Sequence, residues 1–271
     1  MTAWLVATEY FRRAFSARML IVLGVVAVLF LMVAGCMFGA QLYSGGQVYG
    51  AEEQLGLARA ASYHIAASWG VLFAIMLAMG AASRPLEDGR AQFLLSKPVR
   101  RGHVLLGQHL GVLLTALATE AGLGVLASAM SLLRAGSFPW TLWLALGVGS
   151  LTAALAVALV AFFSLFLPRV VAGMVGLIFY LGSIPAASAT VRDFMTGGYR
   201  AAGLDFPWYL RWGSEVYFTV MPPLAGMQLR AASMLKLQGW DVDAWLTLAT
   251  AAVYVVLFFV ASWALYARRD V

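Results

Sequence analysis

The sequence predicts an all-α membrane protein: six transmembrane helices, an N-terminal interfacial helix and both termini cytoplasmic. Three observations lead there. Of the 271 residues, 62% are hydrophobic and only 11% charged, where a soluble domain carries roughly 25% charged residues. The apolar residues fall in runs long enough to cross a bilayer, about 20 residues each. The cations sit beside those runs, so the net charge of +6 reflects the cytoplasmic excess of Lys and Arg in membrane proteins, and no nucleic-acid partner is expected. The chain leaves no room for a large soluble domain and reads as a single transmembrane domain, 1–271. Cys36 is the only cysteine, so no intramolecular disulfide forms.

Residues 3–18 precede the first apolar run. Trp4, Ala7, Thr8, Phe11 and Phe15 make one face, Glu9, Arg12, Arg13 and Ser16 the other, and Arg18 follows. This predicts an interfacial helix on the cytoplasmic surface with its aromatic side among the headgroups. A basic leader to a cleaved signal peptide is the alternative; the next run is long enough to span and more spans follow, which argues against removal. Span one is about 19–40 and carries Gly35-x-x-x-Gly39, a face that permits close packing. Residues 41–63, with Glu52, Glu53 and Arg59, are expected as an external loop. Within it, Ser44-Gly45-Gly46-Gln47 matches the core of an ATPase signature. The chain has no Gly-Lys dipeptide, hence no G-x-x-x-x-G-K loop to cradle phosphates. The tetrapeptide therefore reads as a Gly-rich turn, and this chain is not expected to hydrolyse ATP. Span two is about 64–82.

The loop 83–103 is the most charge-dense stretch, with Arg84, Arg90, Lys97, Arg100 and Arg101 against Glu87 and Asp88. Each charge would cost roughly 2.5–3.5 kcal/mol at the bilayer centre, so the segment lies outside hydrocarbon, and its basic excess places it in the cytoplasm. Pro85 suits a first helical turn, and Glu87 and Asp88 then lie near the positive end of the helix dipole. Leu86, Phe93 and Leu94 share a side that Arg90 interrupts, and Pro98 ends the helix. A short helix with an apolar edge and a basic rim suits docking to a soluble partner; an ordinary loop on the membrane surface is the alternative.

The string from Glu87 to Leu110, E-D-G-x-x-x-x-L-L-S-K-P-V-x-R-x-x-x-L-L-G-x-x-L, resembles the stretch after the second span of ABC-2 type transporter permeases. Leu94, Leu95, Ser96, Lys97, Pro98, Val99, Arg101, Leu105, Leu106 and Gly107 match the family pattern; Gln108 departs from it, since a lysine is usual there. The amphipathic start and the final Tyr266-Ala-Arg-Arg-Asp270 also resemble the family. The resemblance implies that the short helix is a coupling helix seated in a groove of a cytosolic ATPase. Its docking residues would be Leu86, Glu87, Asp88, Arg90, Phe93, Leu94, Lys97 and Arg101.

Span three is about 104–133, longer than a bilayer requires, so it projects or tilts. Gly107-x-x-x-Gly111 again permits close packing. His103 and His109 have no carboxylate or cysteine at ligand spacing, so no metal site is expected, and contacts with headgroups or a partner are. Glu120 is the one acid inside a span and is a candidate for the translocation path; a glutamate that holds helices together is the alternative. A short turn at Arg134–Pro139 leads to span four, about 140–167; Pro168-Arg169 is a tight turn, and span five is about 170–188. The external segment 189–243 alternates charge with Phe194, Tyr199, Phe206, Trp208, Tyr209, Trp212, Tyr217 and Phe218, an aromatic density that suits the interface. The resemblance implies short capping helices there. Span six is about 244–266, before Arg268 and Arg269.

The resemblance implies the permease subunit of an ATP-driven transporter in the bacterial inner membrane. It would pair with a second permease copy, as a homodimer or heterodimer, and with two cytosolic ABC ATPase subunits. This chain would bind no cofactor, ATP and Mg being held by the ATPase. The work would be export of a bulky or amphipathic substrate among membrane lipids, or mechanical work on an external accessory protein. Two other classes are an ion-coupled secondary transporter using Glu120 and an integral-membrane lipid-modifying enzyme. The first needs broken helices and more intramembrane acids; the second needs clustered acid–base or metal groups, which the spacing does not supply.

Overall fold

A computed structural model describes residues 3–14, 17–39, 43–44, 47–48, 50–79, 101–187, 212–213, 216–217, 224 and 242–268. Nearly all of them are helical. In chain order the elements are α1 (Ala3–Ala14), α2 (Ala17–Gly39), β1 (Tyr43–Ser44), β2 (Gln47–Val48), α3 (Ala51–Ala78), α4 (Arg101–Ala135), α5 (Trp140–Phe163), α6 (Arg169–Ala187) and α7 (Val242–Arg268). The strands form a two-residue antiparallel ladder with Tyr43 opposite Val48 and Ser44 opposite Gln47.

Four helices among the described residues are long and apolar enough to cross a membrane: Glu52–Ala78, Gly102–Ala135, Trp140–Phe163 and Trp245–Tyr266. Two further apolar helices, α2 with 23 residues and α6 with 19, stand where spans one and five were expected.

The expected external loop 41–63 needs correction, because α3 is already helical from Ala51. Glu52 and Glu53 were taken for loop charges, but they fill the first turn of α3, where acids favour the helix dipole. No proline interrupts the chain between there and Ala78. Arg59, Ser62 and Tyr63 are thereby carried onto α3.

The core is built around α5, which packs against α3, α4, α6 and α7. Alternating Ala and large aliphatics from Ala153 to Ala161 bury it nearly all round. The buried apolar residues divide into two clusters along the bundle. One gathers Val71, Ala74 and Ala78 of α3 with Val112 and Ala116 of α4 and Ala153–Val160 of α5. The other gathers Phe30 of α2, Ala60 and Ala67 of α3, Leu123 and Ala127 of α4, and Leu142 and Leu146 of α5.

Each end of the α3–α4 pair is pinned by polar bonds. At the α4–α5 turn, Arg59 donates to Ser131 Oγ at 3.2 Å and Ser137 Oγ at 2.8 Å, and Ser131 donates to the Ser137 carbonyl at 3.1 Å. There Gly136, at φ 63°, ends α4 by giving its N–H to the Leu132 carbonyl, a left-handed cap that glycine adopts without strain. At the other end α1 lies across α4. The Tyr10 hydroxyl donates to the Leu77 carbonyl at 3.0 Å, satisfying one of the carbonyls that a helix C-terminus leaves open.

The α1–α4 crossing is very close. A Cβ on Gly107 would lie 2.6 Å from the Ala3 carbonyl oxygen and from Val6 Cβ; one on Gly111 would lie 2.8 Å from Tyr10 Cβ and 2.9 Å from the Ala7 carbonyl oxygen. The Gly107-x-x-x-Gly111 face thus receives the N-terminal helix. Gly107→Val is expected to destabilise the protein by about 1–3 kcal/mol through overpacking. Gly122→Ala, with nothing within 4 Å of the added carbon, is expected to stabilise it by about 0.5–1 kcal/mol. Thermal unfolding of the two purified variants checks both.

Candidate functional site

Of the expected docking residues, Leu86, Glu87, Asp88, Arg90, Phe93, Leu94 and Lys97 lie outside the described residues. Arg101 opens α4. The segment's two flanks are well defined: α3 ends at Ala78 and α4 begins at Arg101. Both are gripped by α1, through the Tyr10 bond to Leu77 and the glycine notches at 107 and 111.

The second expected site, Glu120, lies in the polar layer between the two apolar clusters. It is 3% exposed, on α4 between Ala116 of one cluster and Leu123 of the other. Its side chain fills the notch at Gly70 of α3, where a Cβ would overlap the carboxyl group. Glu120 Oε1 has no hydrogen-bond partner among the described residues.

Tyr63 of α3 belongs to the second apolar cluster. It is fully buried, its hydroxyl seats in the notch at Gly149 of α5, and it lies within electrostatic reach of Glu120 and Tyr180. Among the described residues, the Tyr63 hydroxyl and Thr152 Oγ1 are also without partners. Tyr180 of α6 donates to Ser68 Oγ at 3.0 Å, tying α6 to α3. On α4, Thr115 and Thr119 return their hydroxyls to the Gly111 and Thr115 carbonyls at 2.8 and 3.0 Å, and so need nothing from the seam.

Residues 4–271 match the family described as ABC-2 family transporter protein. The chain belongs to this family. No curated protein matches it. It is therefore a multi-pass membrane protein of an ABC transporter, of the permease type; such permeases generally pair with a cytosolic ATPase and often dimerise.

The remaining residues singled out in this ABC-2 protein fall as follows. α1 turns Ala3, Val6, Ala7 and Tyr10 to α4, whereas Trp4 is 60% exposed and Arg12 is exposed. Of the expected headgroup face of Trp4, Ala7, Thr8, Phe11 and Phe15, Ala7 instead packs on the protein, and Trp4 points away from it. Phe15 lies outside the described residues, and Arg18 lies on α2. His103 is exposed, but the expectation of an interfacial His109 is corrected. His109 is buried, its Nδ1 is 2.8 Å from the Leu105 carbonyl oxygen, and its ring meets Phe259 of α7 edge-on at 5.5 Å. Gln108, the departure from the family pattern, is buried beside it.

Tyr63, Gly70 and Gly149 were missed by the sequence reading. The signal lay in the spacing of Tyr63 and Gly70, two turns apart on one helical face, but it is visible only if α3 starts near residue 51. Gly70→Ala is expected to destabilise the protein by about 1–3 kcal/mol, and by much less in a Glu120→Ala background. A double-mutant cycle of unfolding midpoints reads the coupling, and additive effects would refute the contact.

Proposed function

We infer that this chain is the membrane-spanning permease subunit of an ABC-2 ATP-driven transporter, with six spans and both termini in the cytoplasm. It works with two cytosolic ATPase subunits and a second permease copy in a bacterial inner membrane. It exports a bulky or amphipathic substrate or passes mechanical work to an external partner. The observation that carries this reading is the family match over residues 4–271. Catalysis of ATP hydrolysis, with ATP and Mg, is assigned to the partner, since this chain has no phosphate-cradling loop.

The geometry supports a route for the work. The charged segment, read as a coupling helix, joins the end of α3 to the start of α4, and α1 binds both flanks. A push on the segment would reach α3, α1 and α4 together. α4 then runs without a break to Glu120, about 28 Å further along. Glu120 is assigned to the translocation path, facing α3 across the polar layer.

Co-expression with the cognate ATPase tests the docking face. Deleting Glu87–Ser96 is expected to abolish co-purification. Phe93→Asp or Leu94→Asp should weaken it about 100-fold or more, because each forces a charge into a buried contact. Unchanged association and ATP turnover in both point variants would show the face to be misplaced. Glu120→Gln is expected to abolish transport while the complex still assembles; full transport would remove Glu120 from the path.

A further inference from the structure

A carboxylate in a low-dielectric interior needs a counter-charge, because an isolated buried ion costs more than a fold's net stability. Glu120 is buried at mid-length in a helix long and apolar enough to cross a membrane. No basic side chain among the described residues supplies that charge. Arg59 reaches α4 only at Ser131, about 16 Å along the helix from Glu120, where it is bound to Ser131 and Ser137. His109 lies about 16 Å in the other direction, with Nδ1 on the Leu105 carbonyl and its ring on Phe259.

The polar group within electrostatic reach of Glu120 is the neutral Tyr63 hydroxyl. The Tyr63 hydroxyl of α3 seats at Gly149 of α5, one turn before Thr152; the Tyr63 hydroxyl and Thr152 Oγ1 are both buried and without partners among the described residues. Tyr180 of α6, also within reach of Tyr63, gives its hydroxyl to Ser68, and His64 of α3 meets the Tyr63 ring edge-on at 5.4 Å. α5 has no titratable side chain. Of the other helices on α4, α1 commits Tyr10 to Leu77, α2 has only Arg18 in its first turn and the exposed Cys36, and α7 sets Tyr254 beside Phe258. Three packed helices, α3, α4 and α5, therefore carry one acid and these hydroxyls.

We propose that the seam between α3, α4 and α5 binds one positive charge from solution, a proton or an alkali cation, on Glu120, with the hydroxyls of Tyr63 and Thr152 completing the site. One carboxylate balances one charge; a divalent ion would leave a net charge in the interior. Among the described residues no group of three His, Cys, Asp or Glu gathers to hold a metal ion. The filled site lets α4 seat on Gly70. The empty site leaves a bare carboxylate, which favours separation of the helices and entry of water. This inference concerns the isolated chain and does not rest on the ATPase partnership.

The test uses the full-length chain in detergent, as wild type and as Glu120→Gln, which keeps the shape and removes the charge. Thermal unfolding is followed in NaCl, KCl and N-methylglucamine chloride at constant ionic strength. It is followed again without alkali cations from mildly acid to mildly alkaline pH. Filling the site is expected to raise the wild-type midpoint by about 5 °C once the ion stands about a hundredfold above its dissociation constant, and Glu120→Gln is expected to lack that rise. A rise with Na⁺ or K⁺ at fixed pH assigns an alkali cation; a rise on acidification alone assigns a proton. The same response in wild type and variant throughout overturns the proposal.

Should the variant fail to fold, the wild type answers alone. A hydrophobic carbodiimide adds across the O–H of a protonated carboxyl and leaves an N-acylurea that mass spectrometry locates. Labelling of Glu120 is expected to fall away as pH rises or as alkali cation is added. A yield that is the same under all conditions, zero included, overturns the proposal.

Discussion

Close approach of helix backbones is the constraint on which this fold depends. In lipid, apolar helices gain little from hiding from water, since the surrounding chains are as apolar as they are; association comes from packing and from polar bonds between helices. Here the packing is concentrated at glycines, each filled by a named group: Gly70 by Glu120, Gly107 by Val6, Gly111 by Tyr10, Gly149 by Tyr63 and Gly176 by Val160. Of these notches, the one at Gly70 receives the Glu120 carboxyl and the one at Gly149 the Tyr63 hydroxyl. The same device that brings the helices together therefore also places the acid.

Much of the architecture was legible in the sequence because apolar run length is a strong signal. The helices α4, α5 and α7 begin and end within about four residues of the expected spans, α5 stopping short at Phe163. The reading failed where charge was taken as evidence of a loop. Glu52, Glu53 and Arg59 are compatible with the start of a long helix, since two of them suit its dipole and the third bonds across to α4. Setting the start of that span at residue 64 hid Tyr63 and its register with Gly70.

Glu120 was legible for a different reason: an acid in an apolar run stands out, whether it lines a path or holds helices together. Its surroundings were not legible, because which glycine faces it depends on helix rotation and crossing, and these are settled only when all the helices pack. The partner of Gly107 and Gly111 was hidden in the same way. The motif announced a close neighbour, but that neighbour proved to be the amphipathic α1, whose residue spacing had suggested burial in headgroups alone.

The pins at the two ends of the α3–α4 pair set how these helices can part. At one end Arg59 staples α3 to the α4–α5 turn; at the other α1 holds the last turn of α3 against the first turns of α4. Helices held in this way can neither slide nor splay, and are left with bowing, as the staves of a barrel bow between its hoops. A helix about 50 Å long, bent to the radius of about 80 Å common in proteins, stands off its chord by about 4 Å at the middle. That gap is wider than a water molecule, and it opens at the depth of Glu120.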